Sequence, residues 1–200
     1  MPTEASRAGA AAPFVGNDRV LFGIIFGVLA FWLFAQTTLN ISPVMADDLG
    51  IDTTVMNIAV SITALFSGIF IVVIGSLADR YGRVRVVQTG FVLSIIGSLL
   101  VGLAPTGGLA STFLMVGRIF QGLSGAFIMS ASLALVKAYW DGAARQRAIS
   151  LWSIGSWGGS GFAALFGGLM AENVGWRWIF FAGAAISLLG MVMVAGTPES

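Results

Sequence analysis

The sequence predicts an all-α membrane protein with six transmembrane helices, and three observations carry that prediction. Of its 200 residues, 57% are hydrophobic and 10% charged, with a mean hydropathy of +0.93, whereas a soluble domain is about a quarter charged. The charges cluster between long uncharged runs. Each run that follows is close to or above the roughly 20 apolar residues a helix needs to cross a hydrocarbon core.

Residues 1–19 are small, polar and lightly basic and read as a disordered tail. The apolar run over 20–46 is too long for the core of a cleaved signal peptide, so it is expected to persist as the first span. A second span is expected over 53–78 and a third over 86–104. The cluster Pro105-Thr106-Gly107-Gly108 breaks the chain there and leaves Ser111 or Thr112 to cap a fourth span over 112–136. A fifth span is expected over 148–171 and a sixth over 178–196. Arg7 and Arg19 precede the first span, Arg80, Arg83 and Arg85 join the second to the third, and Lys137, Arg145 and Arg147 join the fourth to the fifth. The opposite loops hold Asp47, Asp48, Asp52 and Glu172, with Arg177 as a lone base. Basic short loops stay cytoplasmic, so both termini are expected on that side of a multi-pass protein of the cell (cytoplasmic) membrane.

Function classes drop out on composition. The sequence has no cysteine and no histidine, which removes disulfides, thiolate nucleophiles and the usual zinc sites; no metal or cofactor is expected. A net charge of +1 gives a nucleic-acid partner no electrostatic support. The spans contain no pair of acids and no nucleophile–base set, so an enzyme is not expected.

Polar and small residues at membrane depth are the candidate site. Gln36 and Asn40 lie on one helical face, and unpaired amides are costly in hydrocarbon, so that face looks into the bundle or a wet cavity; hydrogen bonding between helices is the plainer reading. Arg118, a few residues inside the fourth span, either snorkels to the interface or has a functional partner. Candidate partners are backbone carbonyls, the amides of the first span, Gln121, a substrate, or an acid elsewhere. Gly155, Gly159, Ala163 and Gly167 recur every four residues on the fifth span, a small face that lets another helix approach closely, either in ordinary packing or at an interface to helices beyond this sequence. Arg80, Arg83 and Arg85 also read as topology anchors alone.

Three motifs then resemble one family. Gly75-Ser76-Leu77-Ala78-Asp79-Arg80-Tyr81-Gly82-Arg83 is similar to the G-x-L-x-D-R-x-G-R loop between spans two and three of the major facilitator superfamily. Arg118-Ile119-Phe120-Gln121-Gly122 resembles its R-x-x-Q-G on span four, and Pro198-Glu199-Ser200 its P-E-S after span six. Gly175-Trp176-Arg177-Trp178-Ile179-Phe180 is similar to the opening of span six in the fourteen-span drug:proton antiporter branch. The resemblance implies the N-terminal six-helix half of a major facilitator fold, built as two inverted three-helix repeats, with a second six-helix half as partner.

By the same resemblance, Gly75, Asp79, Arg80, Gly82 and Arg83 form a cytoplasmic gate. Its aspartate would cap a helix in the other half, and Arg83 would also reach Asp141. Arg118, Gln121 and Gly122 would serve proton coupling or substrate. Phe34, Gln36, Asn40 and Met129 would line the cavity, with Trp32 and Trp157 as further aromatic candidates, and Gly155, Gly159, Ala163 and Gly167 would face the second half. The implied function is proton-coupled export of amphipathic, cationic or zwitterionic compounds; a porter for another small solute such as an organic anion, and a truncated fragment without transport activity, are the alternatives. The chain departs from the branch at Ala35, where an acid is usual, and at Ala164, where a helix-bending proline is usual.

Overall fold

The computed structural model describes residues 14–200; residues 1–13, most of the expected tail, lie outside the described part. Residues 14–17 are docked: Phe14 packs edge-on against Tyr139 at 5.0 Å between ring centroids, and the Gly16 amide donates to the Tyr139 carbonyl at 2.8 Å.

Helix α1 (Asp18–Leu49) starts where the Asn17 side chain accepts from the Val20 amide at 3.0 Å, and stops at Gly50, whose φ of 64° suits a residue without Cβ. Pro43 inside it withholds a donor from the Leu39 carbonyl, which the Ser42 hydroxyl takes up at 3.4 Å. Helix α2 (Thr53–Tyr81) is capped by Asp52, which accepts from the Thr54 amide at 2.7 Å, and ends at Gly82 with φ 107°. Helix α3 (Arg83–Gly102) follows at once.

Helix α4 (Ala110–Tyr139) begins earlier than expected and without a side-chain cap, so Ser111 and Thr112 sit inside its first turn. The Pro105–Gly108 turn does the capping through its backbone: the Ala110 amide donates to the Gly107 carbonyl at 2.9 Å, and the Gly107 amide to the Leu49 carbonyl at 3.3 Å.

The fifth span is a rod in three parts: α5 (Gly142–Ser153), a π turn (Ile154–Gly158) and α6 (Gly159–Asn173). Backbone angles at Ser153, Ile154, Gly158 and Gly159 are all right-handed helical, so the rod is not interrupted. Helix α7 (Arg177–Val194) completes the bundle. Among the described residues, five helices, α1, α2, α3, α4 and α7, are individually long and apolar enough to cross a membrane; the π turn divides the fifth rod into pieces too short to qualify alone.

The packing is symmetric under exchange of α1–α3 with α4–α7. Helix α1 packs on α6 and α7; α4 correspondingly packs on α2 and α3. The third helices, α3 and α7, pair with each other, and the first helices, α1 and α4, are also in contact. Two apolar clusters fill the bundle. One, with Ile24, Phe91, Ile128 and Leu135, lies toward the end that carries most basic residues; the other, with Leu33, Phe34, Met45, Leu114 and Phe180, lies toward the opposite end.

Glycine decides how close the helices come. At Gly122 an added Cβ would stand 2.7 Å from the Thr63 carbonyl oxygen of α2, and at Gly97 the same distance class, 2.8 Å, from the Gly117 carbonyl oxygen of α4. The small face of the fifth rod is used the same way. Gly155 lies against Ile25, Gly159 against Leu29 and Gly167 against Thr37, while the Thr37 hydroxyl donates to the Ala163 carbonyl at 3.0 Å. This corrects the expectation that Gly155, Gly159, Ala163 and Gly167 face a second half: all four are buried against α1 of the same chain. Periodicity marks a close approach but does not name the partner helix.

Candidate functional site

Arg118 is the largest fully buried side chain among the described residues, at 1% exposure, so it does not snorkel. Burying a guanidinium requires that its donors be paired, and three helices supply acceptors. Nε donates to the Ala59 carbonyl of α2 at 3.3 Å; Nη1 faces the Phe34 carbonyl of α1 at 3.2 Å, the Thr38 hydroxyl at 3.1 Å and Gln121 Oε1 at 2.8 Å. Nη2 has no hydrogen-bond partner among the described residues. Helical carbonyls can accept a second bond, and the Phe34 carbonyl also takes the Thr38 hydroxyl at 2.5 Å. Gln121 is held from behind, its Nε2 donating to Ser98 of α3 at 3.4 Å. The Thr63 hydroxyl donates to the Arg118 carbonyl at 3.1 Å, and Gly122 lets α2 come that near.

Beside Arg118 a cavity of about 350 Å³ opens between α1, α2 and α4. Its wall is mostly apolar, formed by Phe31, Trp32, Ala35, Leu39, Val60 and Ala64, with Gln36, Ser61, Thr63 and Arg118 as polar groups. Of the expected cavity residues, Gln36, Trp32 and Arg118 are there. Phe34 is not: it points its ring into the core cluster and contributes only its carbonyl to the site. Asn40 is exposed one turn further along α1, Met129 packs on the core at the other end, and Trp157 stands 77% exposed on the outer face of the π turn. Sequence reasoning passed over Phe31 and Leu39 and marked Ala35 only as a departure from the branch, although their spacing of four places the three on one face of α1.

The motif expected to form a gate is an exposed corner. Asp79 accepts from Arg83 Nε at 3.1 Å and Nη2 at 2.8 Å, and its side chain remains 65% exposed. Arg83 does not reach Asp141, which pairs instead with Arg145 one turn along α5; each arginine takes the acid four residues before it on its own stretch of chain. Arg80 lies over the Tyr81 ring at 5.7 Å, and Gly75 has room for a methyl group, with Ser130 at 3.9 Å.

Gly82 answers to a different residue. Its φ of 107° excludes ordinary side chains, and a Cβ there would collide with the Glu199 carboxylate. That carboxylate accepts from the Val84 and Arg85 amides, both at 3.1 Å, so the chain's own C-terminal segment caps α3 and meets its positive dipole end. Tyr139 donates its hydroxyl to the Pro198 carbonyl and holds the segment in place. The P-E-S resemblance marked these residues without revealing this role.

At the opposite end Arg177 closes three helix ends. Its Nη1 donates to the Ala104 carbonyl at 2.7 Å and the Gly102 carbonyl at 3.3 Å, its Nη2 to Asp48 at 3.1 Å, and Trp176 Nε1 also donates to Asp48 at 3.1 Å. The guanidinium lies 4.5 Å from the Trp176 ring centre, so the Gly175-Trp176-Arg177 segment is a clamp on α1, α3 and α7.

Comparison with known proteins agrees with this architecture. The quinolone resistance protein NorB of Staphylococcus aureus, in strains JH9 and Newman alike, is 50% identical over 187 residues, covering 94% of this chain and 40% of NorB. The chain thus spans about 40% of the length of these relatives. Among solved structures, a peptide transporter POT with alafosfalin superposes with a TM-score of 0.74 at 21% identity, over 98% of this chain and 42% of that one. A POT complex with sulfate gives 0.74 at 19% identity. At such identities the likeness speaks for the fold alone. Residues 20–199 match the family described as Major Facilitator Superfamily, so the chain belongs to that superfamily, a family of membrane transporters and not of enzymes.

Proposed function

We propose that this chain is the N-terminal half of a proton-coupled exporter of amphipathic compounds in the cell membrane. The observation that carries the reading is the cavity beside Arg118, apolar and aromatic on most of its wall, with few polar groups to fix an orientation. Its use for export is supported by the staphylococcal relatives, which are named for quinolone resistance.

Six crossings are part of the proposal. The continuous right-handed backbone through the π turn makes α5 and α6 one rod of 32 residues, 142–173, about 48 Å long at 1.5 Å per residue. Both termini are cytoplasmic in this reading, because the basic loops share one end. A second six-helix half covers the exposed side of α2, where Asn57 and Ser61 are too polar to face lipid comfortably. Asp79 and Arg83 then act at the cytoplasmic seam between the halves.

The test is uptake into everted membrane vesicles by the gene product as cells make it. Accumulation of a fluorescent amphiphile is expected to require an imposed proton gradient and to collapse with a protonophore. Accumulation that persists without the gradient would refute proton coupling, and none under any condition would refute export. Asp79→Asn should slow cycling while leaving membrane insertion unchanged; full transport in that variant removes the gate from the account.

A further inference from the structure

We infer that Ser98 is a positioning residue for transport: from α3, off the cavity wall, it holds the Gln121 amide so that Arg118 keeps its place at the cavity. The inference rests on the export reading and adds to it a residue outside every motif named above. Ser98 is fully buried and is not among the residues that line the cavity, whereas Arg118 is. It can act on the cavity only through what it touches.

A guanidinium carries donors alone, whereas an amide has an acceptor at one corner and a donor at the other. Gln121 must therefore turn Oε1 toward Arg118, and it does so at 2.8 Å, the shortest of the guanidinium's hydrogen bonds, the others measuring 3.1, 3.2 and 3.3 Å. The Phe34 carbonyl and the Thr38 hydroxyl are already bonded to each other, so Gln121 is the acceptor most free to hold Nη1. Its Nε2 then faces the other way, into the packing of α3. At 0% exposure a donor left there without a partner is costly, and among the described residues its acceptor is Ser98 Oγ at 3.4 Å. A hydroxyl turns to accept as readily as to donate. Arg118 thus fixes which way the amide faces, and Ser98 satisfies the end that this orientation buries.

The backbones of α3 and α4 leave room here for a short side chain and little else. A Cβ added at Gly97 would stand 2.8 Å from Gln121 Cγ and 2.8 Å from the Gly117 carbonyl oxygen, and one added at Gly117 would stand 3.0 Å from the Gly97 carbonyl oxygen. The stem of Gln121 therefore lies directly on the α3 backbone, where the next residue, Ser98, meets its head. One turn earlier on α3, Ser94 is equally buried, yet its hydroxyl pairs with Ser187 of α7 at 2.7 Å. The two serines differ in partner rather than in burial, and only the bond from Ser98 leads on to the cavity. Without the Ser98 hydroxyl, Nε2 loses its acceptor, the amide swings to find another, and Arg118 loses its nearest acceptor with it.

The experiment is uptake of a fluorescent amphiphile into everted membrane vesicles by the gene product as cells make it, followed over a range of concentrations to separate apparent KM from maximal rate. Ser98→Ala is expected to raise KM about tenfold, the weight of one buried donor left without its acceptor. Ser94→Ala should lower the melting temperature in detergent through the loss of its bond to Ser187, and leave KM within about twofold of the unsubstituted value. Gln121→Glu decides between positioning and packing. A carboxylate keeps the acceptor that Arg118 needs and has no N–H to satisfy, so Gln121→Glu should transport, and Ser98→Ala added to it should change KM by less than about twofold. An unchanged KM in Ser98→Ala, the same rise from Ser94→Ala, the same rise in both backgrounds, or an inactive Gln121→Glu each overturns the inference and leaves export standing. If Ser98→Ala alone does not reach the membrane, the double variant decides: uptake restored by Gln121→Glu supports the inference, and its absence overturns it. No uptake by the unsubstituted protein overturns the export reading and the inference with it.

Discussion

A methyl group added at Gly125 would fall on the edge of the Phe31 ring, part of the cavity wall. A ring edge can swing, so Gly125→Ala is expected to cost about 1 kcal/mol in stability, at the low end for overpacking, and to push Phe31 into the cavity. Its signature is a several-fold loss for a wide substrate with a narrow one little changed, read from dose–response curves for two amphiphiles of different breadth; equal loss for both counts against Phe31 as wall. At Gly82 the obstacle is a carboxylate with work to do. Gly82→Ala combines an unfavourable φ with displacement of Glu199 from the α3 amides, and should cost about 1–3 kcal/mol. Glu199→Ala removes only the cap, at about 1 kcal/mol, and in that background Gly82→Ala should cost less than it does alone. Strict additivity of the two in thermal unfolding would show that the cap and the glycine are independent. At this scale the sequence narrowed the partners of Arg118 to carbonyls, the first span's amides, Gln121, a substrate or an acid elsewhere; within this chain the structure pairs it with two carbonyls, Thr38 and Gln121. Gln36 lines the cavity beside Arg118 and Asn40 is exposed, and neither amide bonds the guanidinium; a helical wheel without neighbours cannot show that.

The fifth rod shows what hydropathy cannot register. Its apolar window is continuous in sequence, yet the backbone takes on an extra residue at Ile154–Gly158 while Gly155, Gly159, Ala163 and Gly167 stay against α1. A π turn of this kind accommodates one inserted residue without changing the faces of the helices on either side. Deleting Trp157, which is exposed, should therefore return the rod to regular α-helix and leave α6 in register on α1. Deleting Ala164 from the regular part should instead rotate everything after it by about 100° relative to the preceding turn, taking Gly167 off Thr37. Detergent melting of the two deletions distinguishes them: the first is expected to remain folded with a modest loss of stability and the second to lose its cooperative transition. Comparable damage from both would mean that the π turn is not an inserted residue. Rule-based capping failed at α4 for a related reason, since Ser111 and Thr112 were displaced by a turn that caps through its own backbone and through Leu49 of another helix.

Across the whole molecule the charges separate by end. Arg19, Arg147 and Asp18, the Glu199 cap on α3, and the last turns of α2 and α4 meet at one end, where the Arg19 guanidinium reaches the Val192 carbonyl at 2.8 Å; among the described residues Arg177 is the one base in the loops of the other, engaged with Asp48. The division was legible in the sequence because loop charge is a local property, whereas the docking of residues 14–17 and 197–200 onto that end depends on where the end of α4 places Tyr139, which meets both segments. The positive-inside rule then assigns the basic end to the cytoplasm, and the absence of cysteine makes the assignment directly measurable. Ala143 lies exposed at the basic end, Thr106 exposed at the opposite end, and Ser200 beyond α7. With a membrane-impermeant maleimide, Thr106→Cys should label in intact cells, while Ala143→Cys and Ser200→Cys should label only in everted vesicles. The reversed pattern would invert the orientation. Labelling of Ala143→Cys and Ser200→Cys from opposite sides would require an odd number of crossings between them, and would mean that the divided fifth rod does not traverse the bilayer.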